Sequence, residues 1–313
     1  MKYIAKKAAA MLVTLFVISL LAFLAFEVIP GDPTTKMLGT DWTPERAAAL
    51  RAELGLTSPL PLRYLRWLGG FFGGDLGTSY SYGQPVRELL AGKIGITAAL
   101  SAMAFLMVIV ISIPLGLFVS DRAGGVLDRI VTAVNQIVMS IPPFFIGIVF
   151  TSVFGLALRL FVAGSFVSPS EDFAGFLGYL IFPALAIALP RSAMTVRLLR
   201  SSILNELGQD YVRTAYSRGN DRKTVLRRHV LRNSMLPVVT FLAVTLADIV
   251  AGSIIIEQVF NIPGLGRMLL LSIANRDHPV VLAIVMMISA LVIFVNFLAD
   301  AAYQLIDPRI RLK

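Results

Sequence analysis

The largest concentration of charged side chains in this sequence falls between Arg191 and Leu236, where ten Lys/Arg and three Asp/Glu interrupt a mostly apolar chain. The second half of this segment reads DYVRTAYSRGNDRKTVLRRHVLRNSMLP, from Asp210 to Pro237. Its apolar residues recur at helical spacing, and Gly219-Asn220 is typical of a helix C-terminal turn. A basic helix-turn-helix segment can bind an acidic partner surface, so it predicts docking rather than bond-breaking chemistry.

The patterns that would indicate catalysis do not occur in the sequence. There is no G-x-x-x-x-G-K-[ST] phosphate loop, H-E-x-x-H zinc motif or nucleophile elbow. With no cysteine and only two histidines, His229 and His278, the chain has no usual set of zinc ligands. We therefore expect a chain that is not catalytic alone and holds no metal or cofactor, which disfavours an intramembrane enzyme.

The elements that position the basic segment are predicted to lie in a membrane. Of 313 residues, 57% are hydrophobic and 15% are charged, whereas soluble domains average about 45–50% and about 25%. The net charge of +9 would suit nucleic acid binding, but the excess of basic residues on the cytoplasmic side of membrane proteins explains it more simply. We predict an all-α polytopic membrane protein that contacts lipid and has no nucleic acid partner.

About 20 apolar residues cross a bilayer core, and six segments qualify. The first has no signal-peptide cleavage site and is interpreted as a retained span. The third is interrupted by Pro142-Pro143, which predicts a helix bent near a pathway or, equally, a kink that serves only packing. The predicted spans are 8–29, 96–119, 132–158, 174–190, 238–258 and 279–302.

Six spans place both termini on the same side, and the basic residues indicate which side. With the N-terminus in the cytoplasm, internal segments hold 18 Lys/Arg and the short external loops hold 3. The external loop 30–96 is long enough to escape this rule. Both termini and the basic segment are therefore predicted to be cytoplasmic. The chain divides into a first region 1–29, an extracytoplasmic loop 30–95 with short helices, and a core 96–313 with its cytoplasmic loop at about 191–236.

Polar residues inside spans are costly and mark candidate functional positions. Thr240, Val244, Asp248 and Gly252 share a flank of the fifth span and could line a translocation path; alternatively, a polar group of a partner subunit satisfies Asp248. Pro142 and Pro143 are candidates for the same path.

Beyond the fifth span, a Pro/Gly turn is predicted to lie at the external mouth. It forms either a gate or a plain structural turn, and a neighbouring Arg-Asp pair could close it as an ion pair. The candidate gate residues are Glu257, Pro263, Gly264, Gly266, Arg276 and Asp277.

The basic segment is predicted to contain a protruding short helix, Asp210 to about Arg218. Gly208 ends the helix before it, and Asp221 caps the helix that follows from Arg222. Tyr211, Ala215 and Tyr216 would form a small face that enters a groove, with arginines at its rim. The candidate docking residues are Tyr211, Arg213, Thr214, Ala215, Arg218, Gly219 and Arg222.

This segment resembles the EAA loop of permease subunits in ATP-binding-cassette importers. Arg213-Thr214-Ala215 stands where the family has EAA, Gly219 is kept, and Leu236-Pro237 follows at a longer spacing than in the family. The combination RTA, G, H-x-LRN and LP is similar to the peptide/nickel branch. Further motifs of that branch occur in order along the chain: VIPGDP (28–33), GDLGTS (74–79), GSIIIEQVFNIPGLG (252–266), ANRDHPV (274–280) and NFLADAAYQLIDPRIR (296–311).

The resemblance implies a type I importer permease fold, in which the short helix is a coupling helix that fits a cleft in a cytoplasmic ATPase. It implies a bacterial inner-membrane protein that forms half of a path for di- or oligopeptides, or alternatively for nickel or another small solute. The implied partners are a second permease, two ATP-binding subunits that hold ATP and Mg, and an extracytoplasmic substrate-binding protein. A stand-alone secondary transporter is a distant alternative, because no inverted repeat is visible.

Overall fold

The computed structural model describes residues 2–28, 32–162 and 164–306. Within these ranges the regular structure is helical, apart from one isolated bridge between Thr78 and Pro85. This confirms the all-α prediction. The chain divides into two compact units, the first formed by residues 1–96 and 263–293 and the second by residues 97–262 and 294–313.

The first unit contains the N-terminal helix and the segments predicted to form the external loop. Phe23, Tyr64 and Leu282 form one of its buried hydrophobic clusters, and the hydroxyl groups of Ser19 and Tyr64 lie 2.7 Å apart. These contacts attach the fourth helix to the first. The helices are α1 (Lys2–Val28), α2 (Pro33–Leu38), α3 (Pro44–Glu53), α4 (Leu60–Phe72), α5 (Val86–Leu90), α13 (Leu265–Asn275) and the beginning of α14 (His278–Ile306).

The starts of α2 and α3 follow from local sequence. Thr43 caps α3 through its side chain and Pro44 occupies the first turn. Asp32 caps α2 by accepting a bond of 2.9 Å from the Thr34 N–H, and it also pairs with Arg51. Burial alone would raise the pKa of Asp32, but the hydrogen bonds from Arg51 and Thr34 outweigh it and lower the pKa. The VIPGDP motif otherwise extends into residues 29–31, which lie outside the described residues.

The second unit contains most of the predicted membrane core. Its helix α6 (Lys93–Asp121) starts in the first unit, and α14 ends in the second. The other helices are α7 (Val126–Ser140), α8 (Pro143–Phe150) with a π-helical continuation (Thr151–Ala157), α9 (Phe173–Leu207), α10 (Asp210–Ser217), α11 (Arg222–Thr224) with a π-helical continuation (Val225–Val230), and α12 (Leu231–Val259).

Five continuous helices are long and apolar enough to cross a membrane, and α7 with α8 forms a bent pair. The bend is 98° and falls between Ser140 and Pro143, so the predicted break at Pro142-Pro143 is confirmed. Counting this pair as one span gives the six that the sequence predicts. The last helix is described only to Ile306, and the end of the NFLADAAYQLIDPRIR motif lies outside the described residues.

Two helices continue from a span into the basic segment. α9 runs without a break to Leu207, which confirms the predicted helix end at Gly208, and the fifth span is part of one helical segment that begins at Arg222. Both contain an internal proline, Pro190 in α9 and Pro237 in α12. Proline is tolerated inside membrane helices because neighbouring groups can satisfy the freed carbonyl, so these prolines do not mark helix ends.

The packing of α6 on α9 depends on a small residue. Gly116 of α6 lies so close to Leu199 that an added Cβ would come within 2.7 Å of Leu199 Cδ2 and 3.2 Å of Leu199 Cγ. Leu199 is fully buried. Small residues at helix contacts let the backbones approach closely in membrane proteins, and Gly116 has this role here.

We predict that Gly116→Val destabilises the protein by about 1–3 kcal/mol, because the new side chain overpacks a buried contact. The matched control is Gly95→Val in the same helix, where nothing lies within 4 Å of an added Cβ. The measurement is the thermal unfolding midpoint in detergent. Equal midpoints for the two variants would show that the Gly116–Leu199 contact is not tight in solution.

Candidate functional site

The basic segment folds as a short helix held between two turns. Gly208 follows the last residue of α9, α10 spans Asp210–Ser217, and Gly219 adopts a φ of +81°. This left-handed conformation favours glycine. The Asn220 side chain donates a hydrogen bond of 3.0 Å to the carbonyl of Ala215 and closes the end of the helix. The predicted bounds of the short helix agree with the structure to within one residue.

One face of α10 packs on its own chain. Val212 and Ala215 are buried, and the Tyr211 hydroxyl donates a hydrogen bond of 2.6 Å to Glu206 Oε2 at the end of α9. Burial, together with this bond to Glu206, raises the pKa of Tyr211. The prediction that Tyr211 and Ala215 form the groove-entering face is therefore wrong, because Ala215 is buried and the Tyr211 hydroxyl is bonded to the same chain.

The opposite face of α10 is open. We call it the α10 outer face; it consists of Arg213, Thr214, Tyr216 and Ser217, all exposed. Arg213 lies 3.8 Å from Asp210, but both side chains are largely in solvent, so this ion pair adds little stability. The face combines a cation, an aromatic ring and two hydroxyl groups, and Arg218 is exposed beside it.

Arg222, predicted to lie at the rim of the docking face, forms hydrogen bonds within its own chain. Its Nε is 3.1 Å from Asp121 Oδ1, and its Nη2 donates a bond of 2.7 Å to the Asp121 carbonyl. These contacts connect the turn after α10 to the C-terminal end of α6. The sequence placed Arg222 among the docking residues, and the structure shows it bound within the chain.

A second ion pair near this segment was not found from the sequence. Arg200 of α9 binds both carboxylate oxygens of Asp128 in α7, each at 2.7 Å, and the Asp128 side chain is only 4% exposed. The Gly124 N–H also donates to Asp128, at 2.8 Å. The sequence shows an acidic residue in the first turn of α7, but it gives no signal for which of the many arginines is its partner.

We predict that Arg200→Ala destabilises the protein by about 3–5 kcal/mol, because it leaves a buried carboxylate without its ionic partner. The matched control is Arg197→Ala on the same helix, since Arg197 is exposed and reaches only Gln136, at 3.4 Å, among its described contacts. Thermal unfolding in detergent should show a clear drop for Arg200→Ala and a small one for Arg197→Ala. Similar midpoints would contradict a structural role for the Arg200–Asp128 pair.

The candidate path residues of the fifth span lie along one flank of α12. Val244 and Asp248 are exposed on the second unit, whereas Thr240 and Gly252 are half-buried. Asp248 Oδ2 lies 3.1 Å from Arg191 Nη1. The alternative that a partner subunit satisfies Asp248 is therefore not needed, because a cation of the same chain does so. Arg191, expected to begin a cytoplasmic loop, lies instead in the interior of α9.

The paired prolines start α8. Pro142 occupies the N-cap position and Pro143 the first turn of the helix. Gly147, one turn later, lies against the side chains of Phe260 and Ile256. The bend therefore coincides with close packing in the second unit. A place for Pro142 and Pro143 on the translocation path stays a prediction.

Glu257 is not at an open mouth of the chain. Its side chain is fully buried, and the Thr97 hydroxyl donates a hydrogen bond of 2.6 Å to Glu257 Oε1. The backbone N–H of Ile262 also bonds to the Glu257 carbonyl, at 2.8 Å. The prediction of Glu257 as a gate residue is wrong for this conformation, because a buried carboxylate that is bonded within the chain does not face a passage.

The other candidate gate residues belong to the first unit. Pro263 is half-buried, Gly264 precedes α13 as its N-cap, and Gly266 is buried in its first turn. The turn is thus ordered by the start of a helix. Its function as a gate is untested and stays a prediction.

Asp277 joins two of the motifs. Its carboxylate accepts hydrogen bonds from the Ser79 hydroxyl, from the Tyr80 N–H at 3.0 Å and from the Ser81 N–H at 3.2 Å. The preceding Arg276 has a φ of +57°. The predicted Arg276–Asp277 ion pair is therefore replaced by contacts with the end of the GDLGTS motif, 196 to 198 residues earlier in the chain.

Comparisons with known proteins agree with this architecture. Residues 112–312 match the family model of the binding-protein-dependent transport system inner membrane component, and residues 1–101 match the model of its N-terminal region. A solved structure of the MetNI methionine ABC transporter in inward-facing conformations has a TM-score of 0.57 and 19% identity, and the match covers 70% of this chain and 96% of that chain. At this identity the likeness supports the fold alone.

Several curated proteins are similar over nearly the whole length. A peptide permease protein of Brucella suis is 38% identical over 95% of both chains. The oligopeptide transport system permease protein AppB of Bacillus subtilis is 33% identical over 98% of both, and a peptide ABC transporter permease protein of Sinorhizobium fredii is 32% identical over 99% of both.

The long apolar helices, the bent third span and the family match of residues 112–312 together define a membrane subunit of a transport system. The chain belongs to the family of binding-protein-dependent transport system inner membrane components. It is therefore a multi-pass permease subunit of an ABC importer in the bacterial inner membrane, non-catalytic itself, and it works with ATPase and substrate-binding partners.

Proposed function

We propose that this chain is one permease subunit of an ATP-driven importer of di- or oligopeptides. The observation that carries the proposal is the 32–38% identity, over 95–99% of the chain, to proteins named as peptide permeases. The motifs GDLGTS and ANRDHPV, which the peptide/nickel branch shares, support it further, because the Ser79 hydroxyl of the first donates a hydrogen bond to Asp277 of the second.

In this proposal the chain pairs with a second, homologous permease, and the two together enclose the path. Two ATPase subunits bind ATP and Mg on the cytoplasmic side, and a substrate-binding protein delivers peptide from outside. Both termini and α10 then lie in the cytoplasm, in agreement with the distribution of basic residues.

The α10 outer face docks on the ATPase. Arg213 and Arg218 can pair with acidic residues there, and Tyr216 can enter a shallow cleft. Because Val212 and Ala215 are buried against the same chain and Tyr211 is bonded to Glu206, a displacement of α10 would move the end of α9 with it.

The link from Arg222 to Asp121 would extend this movement to α6. Closure of the ATPase subunits on ATP would thus bias the spans between outward and inward access, as a ligand that binds two states unequally shifts their populations.

We predict that Gly219→Val uncouples ATP hydrolysis from uptake, because a β-branched residue at a φ of +81° costs about 1–2 kcal/mol and distorts the turn after α10. Uptake per ATP hydrolysed should fall about tenfold, the equivalent of ~1.4 kcal/mol. Gly219→Asn should keep most of the coupling, because asparagine tolerates this conformation.

The control for Gly219→Val is Gly83→Val, which meets the same kind of backbone strain at a φ of +63° far from α10 in sequence. It should leave the ratio of uptake to hydrolysis unchanged. Normal coupling in Gly219→Val, with the complex assembled, would overturn the docking role of α10.

The test of the whole proposal is purification of the complex through a tag on this chain. ATP hydrolysis should be stimulated when the substrate-binding protein and a peptide mixture are added together, and labelled peptide should accumulate in proteoliposomes. Stimulation by nickel or another small solute, and not by peptides, would refute peptides as the substrate. An intact preparation with no ATPase subunit would refute the importer and favour a self-contained transporter.

A further inference from the structure

Arg191 and Asp248 form an ion pair deep within two long apolar helices. Asp248 lies 11 residues before the end of α12, which is about 17 Å along the axis, and 17 residues, about 26 Å, after its start. A bilayer core is about 30 Å thick, so a helix that ends at one boundary of the core places Asp248 within it, whereas Arg191, 18 residues or about 27 Å into α9, starts nearer the opposite boundary. The contact of 3.1 Å between Arg191 Nη1 and Asp248 Oδ2 places the guanidinium at a similar depth.

This pair is open at the surface of the chain. The Asp248 side chain is 47% exposed and that of Arg191 is 28% exposed. One turn away on α12, Val244 is 49% exposed. A charged pair within the membrane-spanning helices is costly when it faces lipid and faces protein or water instead. The flank of α12 around Asp248 therefore borders an aqueous or protein-lined space.

The second ion pair of α9 shows what a purely structural pair looks like in this protein. Arg200 holds Asp128 with two bonds of 2.7 Å, and the Asp128 side chain is 4% exposed. Nine residues, or about two and a half turns, separate Arg191 from Arg200, so the two arginines point to opposite sides of α9. The Asp128 carboxylate is buried in its pair with Arg200, whereas the carboxylate of Asp248 and the guanidinium of Arg191 both remain partly exposed.

We propose that Arg191 and Asp248 form a binding station for the ionic groups of the passing peptide on the wall of the translocation path. Asp248 accepts hydrogen bonds from the peptide ammonium group, and Arg191 donates to its carboxylate. Between substrates the two side chains neutralise each other, so neither charge is left alone in the membrane. This proposal rests on the function proposed above and adds the site at which the peptide ends are recognised.

Each side chain of the pair can form more hydrogen bonds than its contact with the other one uses. A guanidinium has five donors and a carboxylate about four acceptor positions, so each group can hold its partner loosely and still bind a substrate group. Because the pair presents one charge of each sign, it attracts a zwitterion without binding either a free cation or a free anion tightly. Weak binding of this kind suits a path from which the substrate must leave.

The position of the station can be tested with thiol labelling, because the chain has no cysteine of its own. Val244→Cys, on the same flank as Asp248, should react with a membrane-impermeant thiol reagent in the assembled complex, as read from the mass of this chain. Reaction should slow at least about threefold when a peptide-loaded binding protein and ATP are present, because path-bound peptide shields the thiol.

The labelling control is Leu106→Cys on α6, where the native side chain is 60% exposed in an apolar stretch. It should stay unlabelled, because a lipid-facing thiol does not ionise and react with a water-soluble reagent. No reaction of Val244→Cys in any nucleotide state would overturn the proposal that this flank lines an aqueous path.

The chemistry of the station is tested by the double variant Arg191→Gln with Asp248→Asn, which removes both charges and leaves neither partner ionised alone. Uptake in proteoliposomes is measured for a peptide with free termini and for the same peptide acetylated and amidated, each divided by the amount loaded on the binding protein. The preference for free termini should fall about tenfold, as expected for the loss of hydrogen bonds to charged groups.

The matched control is Arg46→Gln with Asp41→Asn, which neutralises an exposed pair 4.0 Å apart in the external loop and should leave the preference unchanged. If the Arg191/Asp248 double variant keeps the wild-type preference and is folded by thermal unfolding, the pair is structural and the station is refuted. If the wild-type complex takes up neither peptide, the proposed peptide function fails instead, so the two failures are distinguishable.

Discussion

A charged or polar side chain that is buried inside a protein needs a partner there, and this requirement organises the second unit. Arg200 forms an ion pair with the Asp128 carboxylate, and the Thr97 hydroxyl donates a hydrogen bond to the Glu257 carboxylate. Such pairs add little net stability compared with apolar packing, but breaking one leaves a buried charge and is costly. They therefore act mainly by excluding arrangements in which α7, α9 and α12 would face other neighbours.

The same requirement separates the parts of the chain that hold the fold from those that are open to function. Buried groups such as Asp128 are fully engaged, whereas the Arg191–Asp248 pair and the α10 outer face leave charge accessible. A transport subunit needs both the buried, fully bonded groups and the accessible charged groups. Its helices must move as units when the ATPase closes, and its exposed polar groups must be available to water, substrate or partner proteins.

The first unit obtains its order in a different way, through helix caps and hydrogen bonds from backbone N–H groups. Asp32 and Thr43 cap short helices, and the Asp277 carboxylate accepts from consecutive backbone N–H groups after Ser79. Tyr64 then attaches α4 to α1 through an aromatic cluster and a hydroxyl contact. The segment 30–95, predicted to contain short helices, contains α2 to α5, and the tertiary structure adds their contacts.

The sequence by itself determined the membrane class, the six spans with the broken third, the bounds of α10 and the need for glycine at position 219, because hydrophobic runs, caps and turn residues act locally. Only the tertiary structure decided that Glu257 is buried and that Ala215 faces inward. It also decided which cation each carboxylate meets, since Asp248 is 57 residues from Arg191 in the chain and Asp128 is 72 from Arg200. Such pairings depend on how distant helices pack, and no local pattern of residues encodes that.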